Sequence, residues 1–158
     1  MAHRIRLRKP WTRLDHSSAA PPVTSASSMG PNEENTSQVD VPDLSGDHAG
    51  SLDGSSSSGE IAETIVHRVS YVRRFNRPSG IESGERVELE LGEVTGRLED
   101  VRVNSQSLFD DADHHVKSMR FDVTDRLSNH NELEIQIHGD GLLPRLTGAV
   151  NLWIVTPE

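Results

Sequence analysis

The sequence predicts an all-β protein: an antiparallel β-sandwich interrupted by a long disordered acidic insertion. Short runs of alternating apolar and polar residues recur through the last 96 residues, with turn-forming residues about every 8–15 positions. No segment carries a convincing pattern for a long helix. The middle of the chain has no apolar period of either two or 3.6 residues. These observations favour one sandwich core with a flexible segment inserted into it.

Charge and apolar content divide the 158 residues into three segments. Residues 1–14 carry five basic and no acidic residues, residues 15–62 carry eight acidic residues and no lysine or arginine, and residues 63–158 carry 11 basic and 17 acidic residues. Large apolar residues occupy 7 of 48 positions in the middle segment and 32 of 96 in the last. The Ser/Gly/Pro-rich middle segment therefore cannot offset roughly 1–2 kcal/mol of backbone entropy per residue. We predict a strand in 1–14, a disordered linker at 15–62 and a sandwich domain at 63–158.

The amino-terminal stretch IRLRKPWTRL alternates between apolar and basic residues. Ile5, Leu7 and Trp11 share one parity, with arginines between them, which is typical of a half-buried strand that Pro10 interrupts. An Arg-rich targeting peptide and a solvated basic tail are the alternatives. The stretch has no apolar region of the kind that a secretion signal needs.

Further strands are predicted in the last segment, giving seven or eight in all. They lie in TIVHRVSYVRRF, RVELELGEV, GRLEDVRVN, MRFDVT, NELEIQIHG and AVNLWIVTP. A slip in parity after Leu98 indicates a β-bulge near Glu99–Asp100, and Asn104–Ser105 is a plausible tight turn. Trp153 lies on the parity opposite to Leu152, so the last strand is expected to be covered on both faces.

Four motifs between residues 70 and 139 match a known pattern: an aromatic-Arg-Arg strand ending in Phe, then V.VNG..L, F.DVT..L and N.L.I.V. The matching residues are Tyr71, Arg73, Arg74, Phe75, Val101, Val103, Asn104, Leu108, Phe121, Asp122, Val123, Thr124, Asp125, Leu127, Asn131, Leu133, Ile135 and Ile137. The stretch resembles the jelly-roll sugar-binding (galactose-binding-like) domain of glycoside hydrolase family 2 enzymes. Ser105 stands where that family usually has glycine, and FDDADHHVKSM replaces its Gly-Gly-aromatic loop. The resemblance implies a non-catalytic accessory domain, because the family's catalytic carboxylates lie on a separate barrel.

One cluster has the residue types of a metal site. Carboxylates and imidazoles together can bind a divalent cation. On an extended chain, however, adjacent side chains point apart, so a solvated polar loop is the alternative. The candidate ligands are Asp110, Asp111, Asp113, His114 and His115.

Arginines and tryptophans are the candidate ligand-binding residues. Arg73 and Arg74, with Arg77 nearby, have the chemistry to hold a phosphate or a carboxylated sugar. The alternative is that they pair across the sheet with acidic residues, namely Glu88, Glu90 or Asp122. Trp11 and Trp153 are candidate platforms for stacking on a sugar, or else core residues.

No motif indicates catalysis or nucleotide binding. The chain has no cysteine, no G-x-S-x-G elbow and no glycine-rich phosphate loop. The formal net charge of −9 argues against nucleic acid as a partner, and no apolar run approaches the roughly 20 residues of a membrane helix. We expect a cytoplasmic, non-catalytic binding module without a cofactor, whose partner is a carbohydrate or a protein. The alternatives are a small hydrolase-like or metal-dependent enzyme, and a structural subunit that docks to a larger protein.

Overall fold

Two antiparallel sheets stack face to face in the computed structural model, which describes residues 2–17, 35–43, 67–109, 119–139, 141 and 143–156. The one helical element among them is a short 3₁₀ turn at Thr124–Arg126. The predicted all-β antiparallel sandwich is confirmed. The strands are β1 (Ala2–Arg6), β2 (Trp11–Ser17), β3 (Asn35–Val39), β4 (His67–Asn76), β5 (Arg86–Leu91), β6 (Val94–Thr95), β7 (Arg97–Val103), β8 (Gln106–Ser107), β9 (Arg120–Asp122), β10 (His130–Gly139), β11 (Arg145–Leu146) and β12 (Val150–Val155).

The core lies between a four-stranded and a six-stranded sheet. The four-stranded sheet has the order β1-β12-β5-β9, the six-stranded sheet has the order β3-β2-β4-β10-β7-β8, and β6 pairs with β11 in a short ribbon. Alternating residues point inward from both sheets, as period-two strands require. Leu89 and Leu152 from the first sheet, and Tyr71 and Ile135 from the second, are each at most 1% exposed.

The amino-terminal segment contributes to both sheets. The sequence predicts one strand that Pro10 interrupts, whereas the structure has two strands in different sheets. β1 pairs with β12, and β2 pairs with β3 and β4. The Leu7 amide donates to the Val150 carbonyl (2.9 Å) at the end of β1, and the chain then crosses to the other sheet. Pro10 lies at this crossing, where its missing N–H costs no ladder hydrogen bond.

Part of the predicted 15–62 linker is ordered. β2 runs to Ser17, and β3 pairs with β2 along its whole length, with Val39 opposite Trp11. Val41 and Asp43 follow in buried positions, 3% and 1% exposed. The linker prediction is therefore wrong for residues 15–17 and 35–43, because a short polar strand can be held by its neighbour and by one buried ion pair. The rest of that linker lies outside the described residues.

The predicted irregularities of β7 are confirmed. Gln136 pairs with Asp100 while the next residue, Ile137, pairs with Leu98, so Glu99 is the extra residue of a bulge. Asn104 and Ser105 both have positive φ, 52° and 67°, and form the tight turn between β7 and β8.

Gly92 and Gly148 bring two backbone segments into direct contact. Their amides donate to the carbonyls of Ala149 and Glu93, at 2.8 and 2.7 Å. A Cβ on Gly148 would lie 2.0 Å from the Glu93 nitrogen, so a side chain at this position has no room.

Among the residues that the structure describes, no helix has the length and apolar character that crossing a membrane requires.

Candidate binding site at the end of the six-stranded sheet

A cavity of about 610 Å³ opens where β4 ends and β10 begins. The antiparallel register sets Asn76 opposite His130 and Arg74 opposite Glu132, so polar residues from both strands meet there. The β7–β8 turn closes one side. We call this space the rim cavity; its lining residues are Arg73, Arg74, Phe75, Asn76, Asn104, His130, Asn131 and Glu132.

Two asparagines build the wall of the rim cavity. The Asn104 side chain donates to the Asn131 Oδ1 (3.0 Å) and to the Arg126 carbonyl (2.9 Å), and its Oδ1 accepts from the Glu132 amide (3.0 Å). The Asn131 Oδ1 also accepts from the Ser128 amide, at 2.8 Å. Because their polar atoms are engaged within the protein, these residues of the V.VNG and N.L.I.V motifs shape the cavity.

The F.DVT motif has a similar structural role. The Thr124 amide and hydroxyl both donate to the Asp122 Oδ1, at 2.9 and 2.6 Å, while the Thr124 hydroxyl accepts from the Val87 amide, at 2.9 Å. Burial alone raises the pKa of Asp122, but the hydrogen bonds from Thr124 hold it below its usual value. The motif therefore fastens the end of β9 to β5.

The open side of the rim cavity carries exposed polar side chains. The Arg74 Nε donates to the Glu132 Oε2 at 3.0 Å, with side-chain exposures of 87% and 47%. His130 Nδ1 and Asn76 Oδ1 lie 3.0 Å apart and are also exposed. These groups are accessible to a ligand that offers both donors and acceptors.

Arg73 occupies an unusual place in this cavity. Its guanidinium is half-buried and donates to the Pro10 carbonyl at 2.6 Å, while its buried Nε has no hydrogen-bond partner among the residues that the structure describes. No carboxylate of the described residues forms an ion pair with it. Burial lowers its pKa, and no neighbouring charge counters that effect.

A groove on the outer face of the six-stranded sheet lies next to the rim cavity. This groove, of about 390 Å³, shares Arg74 and Glu132 with the cavity. Its other lining residues come from β2, β3 and β4 and from the crossing segment: Pro10, Thr12, Leu14, Gln38 and Val72. The two spaces are therefore neighbours on the surface, with the Arg74–Glu132 pair between them.

The predicted ion pairing of the arginines is wrong. Arg73 and Arg74 belong to β4 of the six-stranded sheet, whereas the expected partners belong to β5 and β9 of the other sheet. Arg74 instead pairs with Glu132 across β10. The expected partners were Glu88, Glu90 and Asp122, of which the first two pair with Arg120.

The two tryptophans lie far apart in the fold, one inside it and one on the outer face of the other sheet. Trp11 is 0% exposed, and its Nε1 donates to the Leu7 carbonyl at 3.1 Å. A fully buried ring cannot stack on a sugar, so Trp11 is not a platform and is instead a core residue, the alternative that the sequence predicts.

Trp153 lies on the outer face of the four-stranded sheet. Its ring centroid is 5.6 Å from the Arg4 guanidinium and 5.1 Å from that of Arg120, and its Nε1 donates to the Glu90 carboxylate at 2.8 Å. That hydrogen bond, with those from Asn151 and Arg120, lowers the pKa of Glu90. Another cavity, of about 530 Å³, lies beside Glu90 and Arg120. The Trp153 ring, however, is already in contact with the guanidinium groups of Arg4 and Arg120.

The predicted metal ligands, Asp110, Asp111, Asp113, His114 and His115, lie outside the described residues. Within the part of the chain that the structure describes, no three metal-ligating side chains cluster.

Sequence reasoning missed a buried polar cluster. The Asp43 Oδ2 accepts from the Arg13 Nη1 (2.7 Å) and the Tyr71 hydroxyl (2.6 Å). Arg13 also contacts Asp15 at 2.8 Å, and the Tyr71 hydroxyl accepts from the Leu146 amide at 3.3 Å. Burial and the hydrogen bond to Asp43 raise the pKa of Tyr71. Burial alone would lower the pKa of Arg13, but the hydrogen bonds and charges of its acidic neighbours raise it overall. The cluster fastens the segment after β3 to the core, and Asp43 gave no signal because it lies in an acidic, serine-rich stretch.

Comparisons with known proteins show where this fold occurs. No protein-family model and no curated protein matches the sequence. An FMN-binding beta-glucuronidase from Facaelibacterium prausnitzii L2-6 matches 99% of this chain with a TM-score of 0.59 and 20% identity. A Bacteroides fragilis protein assigned as a beta-galactosidase matches 98%, with a TM-score of 0.52 and 15% identity. This chain spans only 23% of each of those chains, so it has the fold of a part of these glycosidases.

Proposed function

We propose that this chain is a non-catalytic carbohydrate-binding module and that the rim cavity with its adjoining groove is the binding site. The observation that carries the proposal is that two neighbouring spaces, of about 610 and 390 Å³, share Arg74 and Glu132 in their linings. Ligand sites are typically concave and occupy about 300–1,000 Å³. Two neighbouring concave spaces with exposed amide, imidazole, guanidinium and carboxylate groups suit a ligand with hydroxyl-bearing rings.

The small number of carboxylates at the proposed site supports a non-catalytic role. Glycoside hydrolysis commonly uses two carboxyl groups about 5–10 Å apart across the scissile bond. Glu132 is the only acidic residue among the described residues that line the cavity and groove. The resemblance to an accessory domain of family 2 glycoside hydrolases, and the glycosidase neighbours of which this fold is a part, agree with this assignment.

The test is a titration of the purified chain with a panel of neutral and charged oligosaccharides, followed by NMR. We expect saturable binding that the double variant Arg74→Ala/His130→Ala weakens about tenfold or more. Arg68→Ala is the matched control, because Arg68 lies on the same strand and pairs with Glu99 at 2.6 Å. Arg68 precedes Arg74 by six residues of the strand, which at roughly 3.3 Å per residue separates the two by about 20 Å.

Three outcomes would contradict the proposal. If Trp153→Ala abolished binding and the double variant did not, the site would lie on the four-stranded sheet. Turnover of chromogenic glycosides by rigorously purified chain would identify an enzyme. If no glycan bound, the module would not be a carbohydrate-binding one, and docking to a larger protein would become the working hypothesis.

A further inference from the structure

We infer that the rim cavity selects saccharides that carry a carboxylate, with the anionic group seated on Arg73 and Arg74. This inference rests on the proposed function and adds the chemical class of the ligand. Neutral sugars would occupy the same cavity with lower affinity. The argument starts from the charge balance of the cavity.

The unbalanced charge is that of Arg73. A guanidinium withdrawn from water is normally paired with an acid, because an isolated buried charge is costly. Within the described residues, Arg73 donates one hydrogen bond, to the neutral Pro10 carbonyl, and its buried Nε has no partner. Arg13, the most buried arginine of the described residues at 9% exposure, has two aspartates within 2.8 Å by contrast. An incoming anion would supply the missing counter-charge.

The second guanidinium makes the site cationic overall. Arg74 uses its Nε for Glu132, yet its side chain is 87% exposed and its outer nitrogens face solvent. Two arginines and one glutamate leave an excess positive charge in a chain whose formal net charge is −9. Such a chain repels anions in general, so anion binding here requires local contacts and should weaken with added salt.

The geometry suits a carboxylate on a ring. Consecutive strand residues face opposite sides of a sheet, so a cavity lined by both Arg73 and Arg74 wraps around the end of β4. The planar fork of arginine matches a carboxylate with two parallel hydrogen bonds. The ring hydroxyls would then reach Asn76 and His130 on the open side.

The test compares methyl galacturonide with methyl galactoside on the intact chain by NMR titration. A charge-assisted hydrogen bond is worth enough to predict about a tenfold or greater preference for the acidic sugar, declining at high salt. Arg73→Gln is expected to abolish that preference while binding of the neutral sugar persists. Arg68→Gln, the matched control, should leave the preference unchanged.

The outcomes separate this inference from the proposed function. Equal affinity for the two sugars, or an unchanged preference in Arg73→Gln, overturns the inference and leaves the carbohydrate module intact. If neither sugar nor any member of the oligosaccharide panel binds, both fail. Acetate that competes as well as the galacturonide would show a simple anion site and overturn the saccharide assignment. If Arg73→Gln does not fold, Arg74→Gln, altered at an exposed side chain, provides the same comparison.

Discussion

Removing the carboxylate of Asp43 is expected to destabilise the fold far more than removing that of Asp40, three residues earlier. Both aspartates pair with a basic residue: Asp43 with Arg13 at 2.7 Å and Asp40 with Lys9 at 2.6 Å. They differ in burial, since the Asp43 side chain is 1% exposed and that of Asp40 is 55% exposed. The comparison therefore isolates the effect of burial on an ion pair.

The expected magnitude follows from what each variant leaves behind. Asp43→Ala removes the carboxylate that accepts from both the Arg13 Nη1 and the Tyr71 hydroxyl in the core, and leaves Nη1 only the 3.3 Å hydrogen bond to that hydroxyl. Breaking a buried pair costs roughly 3–5 kcal/mol, and the lower end applies because Arg13 keeps its contact with Asp15. Asp40→Ala should cost about 0–1 kcal/mol, as for other exposed pairs.

Urea unfolding followed by tryptophan fluorescence measures both values. With a slope of about 1–3 kcal/mol per molar urea, a loss of 3 kcal/mol lowers the midpoint by at least about 1 M. The slope itself should not change, and Asp40→Ala is the control. If the two variants differed by less than about 0.5 kcal/mol, residues 40–43 would not be docked on the sandwich, and our account of the cluster would be refuted.

Three further predictions concern other parts of the fold. Gly148→Ala should lower the free energy of unfolding in urea by about 3 kcal/mol, because the added Cβ would lie 2.0 Å from backbone. The control Gly80→Ala has open space around it and should lower it by only about 1–2 kcal/mol, because its φ is positive. Equal losses would contradict the close approach at Gly148. Asn131 is buried and its Oδ1 accepts from the Ser128 amide and the Asn104 side chain, so Asn131→Ala should cost about 1–3 kcal/mol by removing both hydrogen bonds. Asn129→Ala, at an exposed position, should have little effect on the melting temperature. The folded-state pKa of Glu90 lies below its ordinary value of 4.5, so its ionised form stabilises the fold above that pH and this contribution is lost as the pH falls. Glu90→Gln should therefore flatten the decline in melting temperature as the pH falls below 4.5, and an unchanged slope would contradict the assignment.

Period-two patterning made the central strands predictable. β5 and β10 each alternate between apolar and polar residues, and burial follows that alternation because one face of each strand packs on the core. The bulge at Glu99 was predictable for the same reason, since one extra residue reverses the alternation. Local sequence was sufficient wherever one sheet face alone decides burial.

Features that depend on partners distant in sequence were not predictable. β3 has little apolar content, and its place depends on pairing with β2 and on the ion pair of Asp43 with Arg13. Arg73 and Arg74 were identified as a candidate site, but their surroundings were not, because strand order decides which acids lie within reach. Asn76, His130 and Glu132 gave no sequence signal, since exposed polar residues are common at strand ends.

The pairing of β1 with β12 has a consequence for synthesis on the ribosome. Ala2 lies opposite Val155, and β12 lies between β1 and β5 in the four-stranded sheet. β1 therefore has no neighbouring strand in that sheet until β12 has been made. At about 5–20 residues per second, the first strand waits roughly 8–30 s for its partner. Until then its edge and the apolar side of the growing layer are open to wrong associations, and we expect a chaperone that holds nascent chains to raise the yield of native protein.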